Sequence, residues 1–493
     1  MRIQTALVAL GSSLVAAVPS LEIEGSEFVN PKTGNKFEIV GIAYQPGGSA
    51  GFSATADPLS QPDVCKRDAA LMQAIGVNTI RVYNLNPNLN HDECASIFNA
   101  AGIYMVLDVN SPLPGEALSS AAPWESYYVD YVKHTFAVVE AFGSYPNTLL
   151  FFSGNEVMND VPTAKYVPQY IRAITRDLKN YIKKNLKRNI PVGYSAADVR
   201  PILWDSWNYL QCSDGTKDDL TRSDVFALNS YSWCGIDATF ETSSFNDLVD
   251  GLAKTTLPVF FSEYGCNVPA PRWWNETRAI YSDKMTGVFS GGVVYQWTEE
   301  DNHYGLISVQ DNTLTILGDY DRLKDAWATI DWKSVEGQKA KKKDLPPPPC
   351  KASLITQKGF DSNFTAPAPP PGVQELIDNG IKPKNVGKVV KISDLNVKLP
   401  VKDSKGNVVR NLKIVRIPDD LFNIFGQNIV ETESSSDDDT NTDKDKDNDK
   451  NTDTNTDTGK GKDGKGKDGD SGAMLNTPMV LAAALPLLAM LFA

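Results

Sequence analysis

The chain is poor in the residue types that build metal centres. Its histidines number three among 493 residues, and its six cysteines include no Cys-x-x-Cys pair. The histidines are His91, His134 and His303. Since zinc sites use such residues at short, characteristic spacings, we expect neither a metal nor another cofactor.

Basic residues are in the minority. The formal net charge is −13 at pH 7. Proteins that bind nucleic acid carry basic surfaces that contact the phosphates, so we do not expect nucleic acid as a partner.

The N-terminal apolar run is too short to cross a membrane. It extends from Ala6 to Val18 after a basic residue, whereas a membrane-spanning helix needs about 20 apolar residues. This pattern is typical of a secretory signal peptide, which we place at residues 1–20.

The C-terminal apolar run has a different pattern. Val480–Ala493 follows a short spacer and a cluster of small residues, Gly469–Ala473. Small residues, a spacer and a hydrophobic tail indicate attachment of a glycosylphosphatidylinositol (GPI) lipid. We expect attachment at Ser471, removal of residues 473–493 as a propeptide, and anchoring to the outer face of the plasma membrane.

A secreted protein with an even number of cysteines is expected to form disulfides. Six cysteines allow fifteen connectivities, and spacing alone does not choose among them. The cysteines are Cys65, Cys94, Cys212, Cys234, Cys266 and Cys350. Asn275 and Asn363 begin Asn-x-Thr sequons, so both are predicted glycosylation sites.

Composition shifts divide the rest of the chain into four segments. Residues 21–332 are predicted to form a globular domain, and 333–372 a proline-rich wrap or linker that contains Cys350. Alternating apolar residues in 373–430 predict a small irregular or β-rich appendage. Residues 431–472 repeat polar and charged residues and are predicted to be a disordered acidic stalk.

The globular domain is predicted to be an α/β protein with a (β/α)8 barrel, the TIM-barrel architecture. It contains eight short apolar runs that alternate with segments of helical period. The runs are Phe37–Tyr44, Asn78–Tyr83, Tyr104–Asp108, Leu149–Ser153, Pro191–Ser195, Val225–Asn229, Pro258–Ser262 and Gly292–Trp297. They lack the polar alternation of a sandwich, and eight of them match the barrel better than a doubly wound sheet.

Two glutamates follow predicted strands of this barrel. Glu156 comes after the fourth strand and Glu263 after the seventh, where barrel enzymes carry their reactive groups. A pair of carboxyl groups is what glycosidic bond cleavage requires. Alone, either glutamate could instead cap a helix or pair with an arginine.

Aromatic residues at strand ends could complete such a site. Tyr231 and Tyr295 end the sixth and eighth strands, where their hydroxyls could reach Glu263, although core packing is the alternative for each. Four tryptophans near strand ends could stack on sugar rings. They are Trp233, Trp273, Trp274 and Trp297.

Six segments of the chain resemble glycoside hydrolase family 72, the fungal β-1,3-glucanosyltransferases of cell-wall assembly. The segments are Gly41–Gly48, Arg81–Tyr83, Gly154–Val157, Asn229–Gly235, Ser262–Asn267 and Gly292–Trp297. The resemblance implies a retaining mechanism with Glu156 as acid/base and Glu263 as nucleophile. It implies further substrate-binding residues at Gln45, Tyr83, Asn155, Tyr231, Tyr295 and Tyr304.

The same resemblance implies three disulfide pairs and a subfamily. The pairs are Cys65 with Cys94, Cys212 with Cys350, and Cys234 with Cys266. No cysteine follows Cys350, so the chain is similar to the shorter members that lack a cysteine-rich carbohydrate-binding module. The implied partners are a β-1,3-glucan donor and acceptor, and we expect a monomer that resides at the membrane or in the cell wall.

Two other functions are compatible with the same residues. An endo-β-1,3-glucanase would share the covalent intermediate and differ only in how well an acceptor competes with water. A non-catalytic wall-binding protein would share the signal peptide, stalk and anchor, but it would not need paired glutamates.

Overall fold

Eight parallel strands close into a barrel, and their order around it follows their order in the sequence. The computed structural model describes residues 18–341, 345–429 and 433–434. Strands β1 to β8 are Ile39–Ala43, Thr79–Val82, Tyr104–Asp108, Thr148–Asn155, Val192–Ala197, Val225–Ser230, Val259–Tyr264 and Phe289–Val294. Each overlaps one of the eight predicted runs, so the predicted barrel is confirmed. The bounds differ most at β8, which begins three residues before the predicted run and ends before Tyr295, while β7 extends past Ser262 to include Glu263.

The strands are buried along almost their whole length, because side chains fill the barrel on one face and helices cover the other. The helices between and after them are Pro62–Ala74, Asp92–Ala100, Pro123–Ser126, Val129–Phe142, Val161–Ala164, Pro168–Asn185, Arg200–Gln211, Phe245–Leu252, Glu276–Ile280, Gly318–Ala328 and Trp332–Gly337. Proline occupies one of the first two positions of several of them, where its missing N–H removes no hydrogen bond.

Short strands outside the barrel cover its ends. Glu22–Glu24, Glu27–Asn30 and Asn35–Lys36 form a small sheet at the N-terminal end of the barrel. Phe28 of this sheet is buried and packs edge-to-face on Phe260 inside the barrel, with ring centroids 6.3 Å apart. This contact closes the end of the barrel opposite the strand ends that carry the two glutamates.

Three disulfides connect parts of the barrel, in the same pairs that the resemblance implies. Cys65–Cys94 joins the first two long helices. Cys234–Cys266 joins the loops that follow β6 and β7. Cys212–Cys350 attaches the C-terminal part of the chain to the end of helix Arg200–Gln211.

Residues 345–429, here called the strap, run over the outer helices of the barrel. Asp205 accepts hydrogen bonds from the backbone of Thr356, at 3.1 Å, and of Gln357. Further along, the hydroxyl of Tyr181 accepts one from the N–H of Ile381 at 3.1 Å. The strap therefore uses polar side chains of the barrel helices to satisfy its own backbone.

Regular structure in the strap is sparse, so the irregular alternative describes it better than the β-rich one. It contains helix Val373–Asn379, a short 3-10 turn, and strands Val401–Lys402 and Val409–Arg410. Val401–Lys402 extends the hairpin Ile307–Gln310 and Thr313–Ile316. The alternating apolar residues pack on the barrel helices instead of forming a sheet of their own.

Some predicted features lie outside the described residues. These are residues 1–17 of the signal peptide, the stalk after Ser434, the attachment site Ser471 and the propeptide 473–493. In the part of the chain that the structure describes, no helix is both long enough and apolar enough to span a bilayer.

The strap should contribute measurably to the stability of the barrel. Asn423 is fully buried, and its side-chain amide donates to the carbonyls of Gln73 and Val77 at 3.1 and 3.0 Å. We expect Asn423→Ala to lower the free energy of unfolding by about 1–3 kcal/mol, because both carbonyls lose a partner. Urea denaturation measures the change. Gln427→Ala, at an exposed position of the strap, is the matched control, and equal effects of the two variants would contradict a stabilising strap.

Candidate active site

A single buried guanidinium joins the ends of five barrel strands. Arg81 of β2 is completely buried. Its Nη1 donates to Oε1 of Glu263 at 3.2 Å and to Oδ1 of Asn229 at 3.3 Å. Its Nη2 donates to Asp108 at 3.1 Å and to Asn155 at 2.8 Å. These partners come from β7, β6, β3 and β4, so Arg81 fixes the relative positions of those strand ends.

Glu263 receives hydrogen bonds on both carboxylate oxygens. Besides Arg81, the hydroxyl of Tyr83 donates to Oε1 at 3.0 Å, and the hydroxyl of Tyr231 donates to Oε2 at 2.6 Å. The side chain is almost fully buried. Three donors on one carboxyl group fix its orientation.

Glu156 lies in a different environment, immediately after β4. Its backbone has a φ of 50°, in the left-handed region that is uncommon for a non-glycine residue and often found at functional sites. Its N–H donates to the carbonyl of Ser195 at 2.9 Å, and its Oε1 accepts from Nδ2 of Asn229 at 2.8 Å. The turn thus projects the carboxyl group over the end of β6.

The pKa of Glu156 is raised above its ordinary value. Burial raises the pKa most and the negative charge of Glu263 raises it further, while the hydrogen bond from Asn229 and the charge of Arg81 lower it. The site therefore contains one carboxyl group with a raised pKa beside a carboxyl group that accepts hydrogen bonds from three donors. Such a difference between two neighbouring carboxyl groups is typical of an acid and a nucleophile.

Asn155 and Asn229 connect the two glutamates. Oδ1 of Asn155 accepts from Arg81, from the hydroxyl of Ser195 at 2.8 Å and from Asn229 at 3.1 Å. Asn229 accepts from Arg81 and donates to Glu156, so it bridges the guanidinium and the second carboxyl group. One continuous network contains both glutamates.

Four tyrosines predicted from the resemblance meet beside Glu263. Tyr295 lies edge-to-face with Tyr83, Tyr231 and Tyr304, at centroid distances of 6.4, 6.2 and 5.3 Å. Tyr231 and Tyr304 are 5.6 Å apart. The cluster forms an aromatic wall with hydroxyl groups, which suits a sugar that has both apolar faces and polar edges.

Gln45 hydrogen-bonds to a different group of side chains from the one that contains the two glutamates. It is buried after β1, and its amide is 3.4 Å from Gln296 and 3.5 Å from Asn84. Gln296 in turn donates to Glu300 at 2.7 Å. The structure therefore places Gln45 beside the β8 loop.

Arg272 stabilises this loop through hydrogen bonds to its backbone. It donates to the carbonyls of Tyr295 and Tyr304 at 2.7 and 2.8 Å, and its guanidinium lies 4.3 Å from the ring centroid of Trp274. Glu299 accepts from the N–H of Gly305 at 2.7 Å. Glu299 and Arg272 together hold the loop that carries two of the four tyrosines.

Three of the four tryptophans are not available to a ligand. Trp233, Trp274 and Trp297 are buried, and Trp274 packs under Arg272. Trp273 alone among the four is exposed, by 45% of its surface. The position of an aromatic residue at a strand end in the sequence does not show whether its ring is exposed to solvent or packed in the core.

Sequence reasoning gave no role to Arg81, Asp108 and Asn229. Asp108 ends β3, and burial raises its pKa to about 6, although the charge of Arg81 opposes the shift. Each of the three is a polar residue inside or at the end of an apolar run. That is the signal that could have identified them, since a buried polar residue requires a partner.

Both predicted glycosylation sites lie away from this network. Asn363 is exposed on the strap. Asn275 is half-buried, and its amide donates to the carbonyl of Ile236 at 3.2 Å.

The coupling between the two glutamates can be measured. We expect Glu263→Gln to lower the pKa of Glu156, because the variant removes the negative charge that disfavours ionisation of Glu156. Carbon-13 NMR titration of labelled glutamate side chains reports this pKa. The control variant Glu241→Gln removes an exposed carboxylate on the loop after β6 and should leave the pKa of Glu156 unchanged. An unchanged pKa in Glu263→Gln would contradict the coupling.

Comparison with known proteins gives one consistent result. The family model described as Glucanosyltransferase, of glycoside hydrolase family 72, matches residues 10–331. The 1,3-beta-glucanosyltransferase gel2 of Aspergillus fumigatus is 50% identical over 414 residues, which cover 84% of this chain and 86% of that protein. The 1,3-beta-glucanosyltransferase GAS4 of Saccharomyces cerevisiae is 44% identical over 322 residues, covering 65% of this chain and 68% of that one.

A solved structure agrees. Saccharomyces cerevisiae Gas2p, determined as a glutamate-to-glutamine mutant in complex with laminaritetraose and laminaripentaose, is 33% identical and superposes with a TM-score of 0.63. The match covers 72% of this chain and 75% of that one. The chain therefore belongs to glycoside hydrolase family 72, the glucanosyltransferase family.

Proposed function

We propose that this protein is a retaining β-1,3-glucanosyltransferase. It cleaves an internal bond of a β-1,3-glucan and transfers the new reducing end to the non-reducing end of a second glucan. The observation that carries the proposal is the pair of unlike carboxyl groups, in which Glu263 accepts three hydrogen bonds and Glu156 has a raised pKa. The names of the relatives support the substrate and the transfer.

In the first step, Glu263 is the nucleophile and Glu156 the general acid. The carboxylate of Glu263 attacks the anomeric carbon while Glu156 donates its proton to the departing glycosidic oxygen. A covalent glucosyl-enzyme forms and the leaving chain departs with a new hydroxyl group. Retaining chemistry needs the two carboxyl groups about 5–5.5 Å apart, and their connection through Asn229 and Arg81 supports a short separation.

In the second step, Glu156 changes role. Once Glu263 is esterified its negative charge is gone, so the pKa of Glu156 falls and its carboxylate becomes able to accept a proton. It then takes the proton of an acceptor hydroxyl, which attacks the anomeric carbon and displaces Glu263. The product is a longer glucan with the original anomeric configuration.

Transfer requires that a sugar hydroxyl reaches the intermediate more often than water does. The tyrosine wall beside Glu263 supports this, because its four aromatic rings and their hydroxyl groups offer binding surface for glucosyl units, and a bound acceptor sugar reaches the intermediate at a high effective concentration. Tyr83, Asn155, Tyr231, Tyr295, Tyr304 and Gln45 are the proposed substrate-binding residues.

We also propose that the enzyme acts as a secreted monomer, attached by a GPI lipid to the outer face of the plasma membrane or incorporated into the cell wall. The terminal sequence patterns support this location, and the match to a relative named 1,3-beta-glucanosyltransferase supports a glucan substrate. Residues 373–429 belong to the strap. We propose that the strap contributes to this activity by stabilising the barrel.

Product analysis decides between transfer and hydrolysis. A purified, defined laminari-oligosaccharide should give products longer than the substrate, together with a shorter released fragment. Chromatography with mass detection separates the two. Products that are only shorter than the substrate would replace the proposal with an endo-β-1,3-glucanase.

Azide rescue can assign the two glutamates. Glu263→Ala and Glu156→Ala should each lower the transfer rate by at least about a thousandfold. With an activated glycosyl fluoride of the matching anomer, azide should give an α-glycosyl azide with the first variant and a β-glycosyl azide with the second, because azide takes the place of a different carboxyl group in each. Full activity of either variant, or the opposite pattern of azides, would contradict the assigned roles.

A further inference from the structure

Exposed aromatic side chains are concentrated on the catalytic face. Among residues 18–341 and 345–429, four aromatic side chains are more than a third exposed. They are Trp124 at 50%, Tyr128 at 37%, Tyr166 at 38% and Trp273 at 45%. All four lie in the segments that connect β3, β4 and β7 to the helices after them. They therefore share with Glu156 and Glu263 the end of the barrel at which the strands terminate.

Two of these residues, Trp124 and Tyr166, form a pair that we call the rim pair. They come from different loops, yet their ring centroids lie 5.4 Å apart with the planes at 79°. The Nζ of Lys165 lies 4.9 Å from the ring centroid of Tyr166. Despite these contacts both rings keep a large exposed fraction, so the pair presents aromatic surface to solvent.

The loops that carry the rim pair are fixed by local contacts, of which those of Tyr127 are buried. Tyr127, three residues after Trp124, is buried, donates its hydroxyl to Asp177 and packs on Tyr170 at 5.8 Å. On the other loop, Asp160 caps a short helix by accepting from the N–H of Thr163 at 2.8 Å. The exposure of the rim pair therefore belongs to ordered loops whose neighbouring residues are held in place.

The position of the rim pair around the barrel relates it to the catalytic pair. In the closed ring of eight strands, β3 lies opposite β7, and β4 is next to β3. Trp124 follows β3 and Tyr166 follows β4, which also carries Glu156, whereas Glu263 and Trp273 belong to β7 and the loop after it. A polymer that lies across Glu156 and Glu263 thus has the rim pair at one side of the barrel and Trp273 at the other.

The chemistry of the surface fits a sugar chain. A glucosyl ring has an apolar face of C–H groups, which stacks on aromatic rings, and a polar edge of hydroxyl groups. The rim pair supplies exposed rings, and the exposed polar side chains of Glu125 and Lys165 lie beside them in the sequence. A protein partner would be expected to use a larger and more continuous apolar surface.

We propose that the rim pair is a remote subsite that binds a glucosyl unit of a long β-glucan, away from the bond that is cleaved. This inference rests on the proposed function, because it takes the polymer to be the substrate of Glu156 and Glu263. Binding there adds affinity for long chains and leaves the chemical step unchanged. The rim pair consequently sets a preference for substrate length.

Steady-state kinetics on oligosaccharides of increasing length test the subsite. In the full-length protein, the double variant Trp124→Ala and Tyr166→Ala should raise KM for the longest soluble laminari-oligosaccharides by roughly tenfold. Its kcat, and its KM for the shortest oligosaccharide that reacts, should match those of the wild type. An unchanged KM at every length would overturn the proposal, and so would an equal rise at every length.

Two control variants and the wild-type protein separate the possible outcomes. Tyr166→Phe combined with native Trp124 keeps both rings and should retain wild-type KM, whereas Leu421→Ala changes an exposed apolar residue on the strap and should have no effect. Wild-type protein that fails to transfer would refute the proposed function, while active wild type with an unaffected double variant would refute the subsite alone.

Calorimetry with the Glu263→Gln protein measures binding of long and short oligosaccharides without turnover. Equal affinities for long oligosaccharides with and without the rim pair would also overturn the subsite.

Discussion

The site depends on one buried cation. Burying a guanidinium is costly unless it is paired and hydrogen-bonded, and Arg81 meets this condition with two carboxylates and two amide oxygens. Burial alone would lower the pKa of Arg81, but the charges of Asp108 and Glu263 raise it above its ordinary value. Because the partners must reach the same guanidinium, the ends of the strands that carry them are held together.

The same constraint explains why the two glutamates differ. Glu263 is a direct partner of Arg81 and receives two tyrosine hydroxyls as well, so its negative charge is compensated. Glu156 is connected to Arg81 only through neighbouring amides, and it is buried near the charge of Glu263, which raises its pKa. The chemistry proposed for the pair follows from this asymmetry. Loops held by Arg272 and by the Cys234–Cys266 disulfide then place the aromatic wall around it.

The sequence was sufficient to predict the barrel and to place both glutamates at its strand ends, for a physical reason. Strands buried on both faces must be continuous apolar runs, which are visible without a structure, and a carboxyl group directly after such a run lies at the strand-end face. The network between the glutamates was not predictable in the same way. Arg81 and Asn229 occupy buried positions that hydrophobic periodicity does not describe, and their partners come from distant strands.

The strap and the exposed aromatic side chains show a second limit of prediction from the sequence. The strap has little regular structure, so no period predicts that it packs along the barrel helices. Trp274 and Trp297 are buried, whereas Trp124, which the sequence reasoning did not select, is half exposed. Ring direction at a loop is decided by tertiary contacts, such as the stacking of Arg272 on Trp274.

The central claim is that Glu263 is the carboxylate that bonds to the sugar. Incubation with a 2-deoxy-2-fluoro-β-laminaribiosyl fluoride tests it directly, because the fluorine slows breakdown of a glycosyl-enzyme and allows the labelled protein to be digested and sequenced by mass spectrometry. We expect one added fluorinated laminaribiosyl group per chain, on the peptide that contains Glu263. A label on Glu156, or inactivation without any covalent label, would contradict it.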